Sequence, residues 1–376
     1  MVELLEDLGR QGVQCELVTG WLDWPSDQPP PFAVRRAAAL VKASSWKRLW
    51  AWGRFTLQAM AAAVRRRRWP MLVVSNPPWT MLAMPLLRRL TGLRYVLLVY
   101  DIYPDVMERM GTLRPGGLLS RLWRRLSRRA ILRSRATVTL GDRMARTLRG
   151  HLRPGDRAAI EIIPNWADTD FIRPLPKADN PFAREHGLAD KFVVLYSGAF
   201  GATHDTASIV AAAEMLADLG DVRFVLIGGG TRQREVAELV ARKALPNLVL
   251  LPLQPRSMLP FSLTSADCAI VCLDEGYEGV SVPSKTYHAL AAGSALLAVS
   301  PPDTELTQLV EQHGCGVHIL PRRPQELASA IRRLHADPAL LASYRAAARA
   351  AAEGQYSRRV LTQRWLAGLN RWLASE

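Results

Sequence analysis

Residues 191–206 read KFVVLYSGAFGATHDT, and residues 223–236 read RFVLIGGGTRQREV. Each opens with an apolar, β-branched run of strand length, breaks at glycines and continues into a helical stretch. Two such junctions in succession are consecutive βα units of a parallel sheet. Working outward, NLVLLP (247–252), CAIVCL (268–273) and SALLAVS (294–300) supply further strands, with helices expected over 205–219, 232–243 and near 285–292. The first half repeats the theme. Strands are expected at 13–20, 71–76, 94–101, 137–142 and 161–165, separated by helical stretches Leu40–Arg66, Thr80–Leu90 and Leu118–Arg133, and the tail Glu326–Glu376 is mostly helical. The expected fold is α/β, with two doubly wound domains in tandem: residues 1–168, then residues 169–355, then a last helix over 356–376. Doubly wound domains usually open on a central strand and a glycine-rich turn. Here a helix (Val2–Arg10) comes first and the first strand starts at Val13, so the usual first strand and loop are expected to be missing, either because the start lies upstream or because this form is impaired.

A chain of 376 residues that is 49% hydrophobic and 22% charged has ample material for a core, which excludes a disordered chain, a fibrous repeat and a disulfide-stapled miniprotein. Cys15, Cys268, Cys272 and Cys315 form no C-x-x-C pair and read as free thiols in a reducing compartment. The acidic start VELLED has neither the basic nor the apolar region of a cleavable signal peptide. The uncharged stretch Trp69–Leu87 contains several prolines and reads as strand, loop and helix, not as a membrane span.

Charge is distributed unevenly. The formal sum is +15, yet Lys47–Arg149 alone holds 22 basic and 4 acidic residues, a local +18. Such a first half is built to meet something anionic. Two of its helices are basic and amphipathic. Leu119, Leu122, Leu126 and Ala130 recur at helical spacing among Arg121, Arg124, Arg125, Arg128 and Arg129, and 46–55 mixes tryptophan with Lys47, Arg48 and Arg54. A membrane surface suits both. For 119–130 the alternative stays open that the leucine row packs on the sheet beneath a solvated arginine face.

In open parallel sheets ligands bind beyond the carboxyl ends of the strands. At the first such exit, Gly198 and Gly201 precede a helix starting near Asp205, and Gly228–Gly230 with Arg232 repeat the arrangement. Bare backbone N–H groups and a helix N-terminus favour a phosphate there; the alternative is a tight turn. The next exit, LDEGYEGVSVPSKTYHALAAG (273–293), offers Glu275, Glu278, Lys285 and His288. A lysine at a helix start opposes the dipole, which makes sense with an anion between them; otherwise this is surface charge and a satisfied histidine. First-half exits give Asn76 and the run Asp101-Ile102-Tyr103-Pro104-Asp105. Asp101 is either a helix cap or a polar group facing substrate.

The motifs SNPPWTMLAMPLL (75–87), LLVYDIYPD (97–105), IPNWADTDFIRP (163–174), YSGAFGATHD (196–205), VLIGGG (225–230), VPSKTYHALAAG (282–293) and DTELTQLVEQHGCGVHI (303–319) stand in order along nearly the whole chain. In them the sequence resembles the GT-B retaining glycosyltransferases of family 4, group 1, closest to the branch that builds O-antigen, capsule and colanic-acid-type exopolysaccharide. The resemblance implies two Rossmann-like domains facing across a cleft, with a nucleotide sugar on the second, an acceptor on the first and the C-terminal helix crossing back. The loop of Gly198, Phe200 and Gly201, with Gly228, Gly230 and Arg232, would face the donor diphosphate. Ser284, Lys285 and His288 would hold ribose and sugar. Asp101 and Glu278 would be the catalytic pair, and Asn76, Tyr103 and Asp105 would lie on the acceptor side.

The chain departs from the family at three points. His288 stands where the second of two family glutamates is expected; Ala202 replaces a basic residue; and the first strand and loop are absent. The resemblance further implies a UDP-linked hexosyl or N-acetylhexosaminyl donor and a lipid-linked saccharide acceptor. With no metal-ligand cluster in the sequence, no metal is expected, and the strongly basic first half predicts a peripheral place on the cytoplasmic face of the inner membrane. Alternatives are a GT-B nucleotide-sugar epimerase, a degenerate family member, and a basic nucleic-acid-binding protein, against which no recognition motif appears.

Overall fold

The structure, a computed structural model, describes residues 1–22, 24, 29–39, 45–201 and 205–374. The chain forms two compact units. Unit 1 is Met1–Pro164 with Gly279–Ser281 and Thr362–Glu376; unit 2 is Asn165–Glu278 with Val282–Leu361.

Unit 1 opens with α1 (Val2–Arg10) and a separate parallel pair, β1 (Glu16–Thr19) with β2 (Ala33–Arg36). After α2 (Ser45–Arg65) come β3 (Met71–Val74), α3 (Pro78–Thr91), β4 (Tyr95–Val99), α4 (Asp105–Arg109), α5 (Leu118–Arg133), β5 (Thr137–Thr139), α6 (Asp142–Gly150) and β6 (Ile160–Ile162). These four strands form one parallel sheet in chain order, Met71 opposite Tyr95 and Leu97 opposite Thr137. Every residue of β4 is buried, as expected for a parallel strand covered on both faces. Successive right-handed crossovers in one direction put α3, α5 and α6 on the same face of the sheet, where α3 packs against α2 and α5.

The row of α5 that packs is not the leucine row. Ser120, Trp123, Ser127, Ala130 and Ile131 are buried, while Leu119 and Leu122 face outward. Small serines let two helices approach closely, and a leucine ridge would hold them farther apart.

Unit 2 runs α7 (Pro181–Glu185), β7 (Phe192–Ala199), α8 (Thr206–Met215), β8 (Val222–Gly229), α9 (Gln233–Lys243), β9 (Leu248–Leu251), α10 (Leu259–Thr264), β10 (Cys268–Cys272), α11 (Lys285–Ala291), β11 (Ala295–Val299), α12 (Glu305–His313), β12 (Gly316–Ile319), α13 (Pro324–Ala336) and α14 (Pro338–Gly354). All six strands are parallel, in the order β12-β11-β10-β7-β8-β9. The order reverses between β7 and β10, the point at which a doubly wound sheet opens a crevice beyond its strand ends. Buried Val194, Tyr196, Phe224, Ile270 and Leu297 belong to one apolar core beneath that point.

The first stretch of unit 1 ends at Pro164, so Asp168 belongs to unit 2, where Arg358 Nη1 lies 3.1 Å from its Oδ2. The last helix, α15 (Arg358–Ala374), belongs to unit 1 from Thr362 onward. Thr362 donates to Asp7 Oδ2 at 2.8 Å, the Trp372 indole donates to Glu161 Oε1 at 2.6 Å, and the buried Trp365 and Trp372 rings meet edge to face at 6.0 Å. The four cysteines are free, three of them buried, and burial pushes the Cys272 and Cys315 thiols up to about 12. Trp69–Leu87 is indeed a strand, a loop and the start of a helix. Among the described residues no helix is long and apolar enough to cross a membrane.

Candidate active site

In unit 2 the candidate groups collect at the carboxyl ends of β7, β8 and β10. Tyr196 and Gly198 share one face of β7, since strand side chains alternate. Gly198 has φ 149, and a Cβ there would sit 3.5 Å from Lys285 Nζ and 3.8 Å from Lys285 Cδ. Such a Cβ would only touch Lys285, which reaches back from the first residue of α11; the positive φ is what favours glycine at this position. Its ammonium donates to Tyr196 Oη at 2.9 Å and lies 4.1 Å from the centre of that ring, a cation–π contact. Among the described residues no carboxylate pairs with it. Desolvation pulls the Lys285 ammonium down to about 8, opposed by the nearby Cys272 sulfur. A half-buried cation without a counter-charge, beside the crevice of a doubly wound sheet, is a site for an anion.

The glycines of β8 serve a different need. Gly198 is in register with Gly228, and a Cβ on Gly228 would fall 2.3 Å from the Gly198 carbonyl oxygen and 2.7 Å from Phe200 Cζ. At Gly230, φ 139, a Cβ would meet the Phe200 carbonyl oxygen at 2.8 Å. The glycines thus let Phe200 fold over the end of β8: its N–H donates to Gly229 O at 2.8 Å, and its carbonyl accepts from Arg232 N at 3.0 Å. The Phe200 ring is fully buried and stacks on Tyr196 at 5.5 Å. It therefore shapes the loop from the core side. Gly201 is half-buried, and Ala202 lies outside the described residues.

The other donor-side candidates are less free. Arg232 pairs with Glu235 of its own helix, Nε to Oε2 at 2.7 Å. Glu275 is bound by Arg322 Nη1 at 2.6 Å, and Asp274 by Nη2 of the same guanidinium at 2.8 Å. Arg322, at φ 58, also donates its backbone N–H to Asp205 Oδ2 at 2.8 Å. Glu278 Oε1 accepts from Gly276 N at 3.0 Å, turning the loop on itself. Ser284 is exposed just ahead of α11, and His288 is half-buried one turn into it.

In unit 1 the exits of β3 and β4 carry Asn76 and Asp101, each loop turning through a cis prolyl bond, Asn76–Pro77 and Tyr103–Pro104. The Asp101 N–H donates to Ser75 Oγ at 3.3 Å, and its Oδ2 accepts from Asn76 Nδ2 at 3.4 Å. Asp101 also forms an antiparallel bridge with Ser281, next to the Ile102 N–H that donates to Val280 O at 3.0 Å. Burial raises the Asp101 carboxyl, and a hydrogen bond from Ser281 works against it.

Asp105 is committed elsewhere. Its Oδ1 accepts from Arg124 Nη2 at 3.0 Å, and His151 Nε2 stands 3.1 Å from its Oδ2. Burial alone would raise this carboxyl, but His151 and Arg124 together hold it below the usual range. Arg124 also binds Glu108 Oε2 at 2.6 Å, and Tyr103 stacks on Trp123 at 6.1 Å. The structure thus leaves Asp101, Asn76 and Tyr103 at the loop and places Asp105 in an ion cluster beneath it. Sequence reading missed Arg124 and His151 as its partners, because separations of 19 and 46 residues carry no periodic signal. It also missed Tyr196, whose place two residues before Gly198 was the available clue. Among the described residues no three His, Cys, Asp or Glu side chains gather as a metal site would require.

These two parallel sheets and their strand-end groups define a protein of the GT-B class. Residues 1–171 match Glycosyltransferase Family 4, and residues 179–351 match Glycosyl transferases group 1. The chain belongs to the family 4, group 1 glycosyltransferases. It is 28% identical over 257 residues to the probable glycosyltransferase WbjE of Pseudomonas aeruginosa, covering 68% of this chain and 64% of that protein, slightly under two thirds of its length. It is 28% identical over 356 residues to the putative colanic acid biosynthesis glycosyl transferase WcaI of Escherichia coli K12, covering 88% and 86%. Among solved structures, Anabaena Alr3699/HepE in complex with UDP and glucose superposes with a TM-score of 0.73 at 16% identity, over 98% of this chain and 94% of that one. At that identity the likeness concerns the fold alone.

Proposed function

We propose that this protein transfers a hexosyl or N-acetylhexosaminyl group, with retention, from a UDP-sugar to a lipid-linked saccharide during synthesis of a cell-surface polysaccharide of the O-antigen or exopolysaccharide type, working peripherally at the cytoplasmic face of the inner membrane. The observation that carries the reading is Lys285, a cation that no carboxylate among the described residues pairs with, held by Tyr196 against Gly198 at the switch point of unit 2. The name of WcaI supports the polysaccharide setting, and the UDP bound by the Anabaena protein supports the donor.

The chemistry forms a bond from an acceptor hydroxyl oxygen to the anomeric carbon and breaks the bond from that carbon to the diphosphate oxygen. The hydroxyl proton passes to the departing diphosphate, so no covalent nucleophile is required. What the protein supplies is positive potential where negative charge grows. Lys285, joined by Arg232 once it leaves Glu235, serves that role without a metal, and one such donor is commonly worth about 10²–10³ in rate. Asp101, oriented by Ser75 and Asn76, positions the acceptor hydroxyl. Ser284 and His288 hold ribose or sugar hydroxyls, and Glu278 closes the loop beside them.

The test is direct. Purified protein is incubated with a panel of UDP-sugars and a membrane lipid extract, and products are read by mass spectrometry. A lipid-linked glycan heavier by one sugar, with UDP released in equal amount, is expected. Change of the UDP-sugar itself without acceptor would favour the epimerase instead.

A further inference from the structure

We propose that unit 1 docks on an anionic lipid bilayer through two apolar anchors that flank its acceptor loop. The anchors are Trp46 and Trp50 at the start of α2, and Leu118, Leu119 and Leu122 at the start of α5. The proposal rests on the reading above only for what the bilayer carries; the surface itself is argued from the structure of unit 1.

Helix α2 has two apolar faces. Ala51, Thr56, Ala59, Ala62 and Ala63 are buried against the unit. On the opposite side Trp46 is 82% exposed, Trp50 66%, Leu57 68% and Val64 45%. At 100° per residue these four fall within about 40° of arc, one solvent-facing row. Lys47 and Arg54 border it, and the Arg54 guanidinium lies 5.0 Å over the Trp50 ring. A soluble helix has no reason to place two tryptophans in water opposite its packed face.

The position of the row matters as much as its composition. At 21 residues α2 is roughly 31 Å long, whereas the strands of this sheet span only about 10–17 Å. Trp52 meets Trp79 edge to face at 6.1 Å, and Thr56 Oγ1 lies 3.4 Å from Thr80 Oγ1. Trp79 and Thr80 open α3 directly beyond the carboxyl end of β3, so the residues before Trp52 project past that edge of the sheet. The same edge carries the other anchor, because α5 follows the loop after β4. Leu118 is 85% exposed, Leu119 57% and Leu122 51%, with exposed Arg121 and Arg125 beside them. Since α3 packs between α2 and α5, the loops of Asn76–Trp79 and Asp101–Asp105 emerge between the two anchors.

The occupant follows from charge. The segment Lys47–Arg149 carries 22 basic and 4 acidic residues; of the acids near the edge, Asp105 and Glu108 are bound by Arg124, and Asp101 is half-buried and accepts from Asn76. A second copy of this surface would set cation against cation. Anionic headgroups over an apolar interior satisfy both features: indole rings settle at headgroup depth, leucines go deeper, and arginines stay with the phosphates.

The probe is flotation with vesicles of phosphatidylcholine alone or with about a third phosphatidylglycerol, from about 50 to 500 mM salt. The full chain is expected to float with the anionic vesicles and not the neutral ones. W46S/W50S and, separately, L118S/L119S/L122S should each lower partitioning about tenfold, while L86S/L90S, at the far end of α3, should not. UDP binding by calorimetry should be unchanged in every variant, and a wild-type circular dichroism spectrum and thermal unfolding profile report that unit 1 of each is folded. Vesicle binding that survives both anchor variants overturns the anchors, and capture of nucleic acid with vesicles ignored overturns the membrane. Normal vesicle binding without UDP binding leaves this proposal standing and removes the donor reading.

Discussion

Lys285→Met separates two effects that usually move together. In the folded chain the ammonium is desolvated, and its drop from 10.5 to about 8 corresponds to roughly 3 kcal/mol against the charged form. Part of the side chain stays in water, so the stabilisation expected from removing the charge is nearer 1–2 kcal/mol, a few degrees in Tm for a domain of this size. Tyr196 is not orphaned, because its hydroxyl still donates to Ala199 O at 2.7 Å. Methionine fills the space beside Gly198 with a stem of similar volume. The same substitution deletes a charge-assisted contact to the diphosphate, worth about 2–3 kcal/mol, so UDP affinity should fall about 30- to 150-fold. The pH dependence has opposite signs for the two observables. UDP binding to the wild-type chain should weaken as pH rises through about 8, where Lys285 loses its proton. The lysine's contribution to stability should improve over the interval from about 8 to 10.5, where only the unfolded chain still binds that proton. Calorimetric titration with UDP and thermal unfolding of both proteins read out the pair. A variant that binds UDP normally and melts lower would refute the reasoning on both counts.

Other positions give equally definite expectations. Gly228→Ala puts a methyl 2.3 Å from a backbone oxygen that cannot step aside, and unit 2 should lose about 3 kcal/mol or more in denaturant unfolding. Arg124→Met leaves Asp105 and Glu108 without their guanidinium; being partly solvated, the cluster should cost about 2–3 kcal/mol, read as a lower Tm. Because His151 and Arg124 hold Asp105 below its ordinary 3.8, its stabilisation is fully present above that value. It fades as pH falls below about 4, and an acid titration followed by near-UV circular dichroism should show the wild-type chain losing more stability there than Arg124→Met. Asp101→Asn keeps the shape of the loop and removes a charge. Transfer should drop roughly tenfold or more through the acceptor KM, with UDP affinity unaltered.

The order of strands and helices was legible because parallel strands buried on both faces are written as continuous apolar runs, as in CAIVCL and YVLLV. Elements of few residues escaped. The strand Ala33–Arg36 ends in two arginines, and Gly316–Ile319 is too short and mixed to show a period. For α5, periodicity identifies an apolar row without saying what it faces, and of the two readings left open Leu119 and Leu122 take the outward one; the choice of the Ser120, Trp123 and Ser127 row lies in the small side chains and in Trp123 meeting Tyr103. At the site, glycine positions and Lys285 were visible as strand-end chemistry. Phe200 was read as facing the donor diphosphate and Asp105 as lying on the acceptor side. Their true surroundings, the β8 glycines for one and Arg124 with His151 for the other, arise from pairings that only the folded chain creates.

A crystal of the protein soaked with UDP tests the central claim most directly. The account predicts the diphosphate beyond the carboxyl ends of β7 and β10, with Lys285 Nζ in hydrogen-bond reach of a phosphate oxygen. Clear density for UDP at any other place, with Lys285 still turned only to Tyr196, would contradict it.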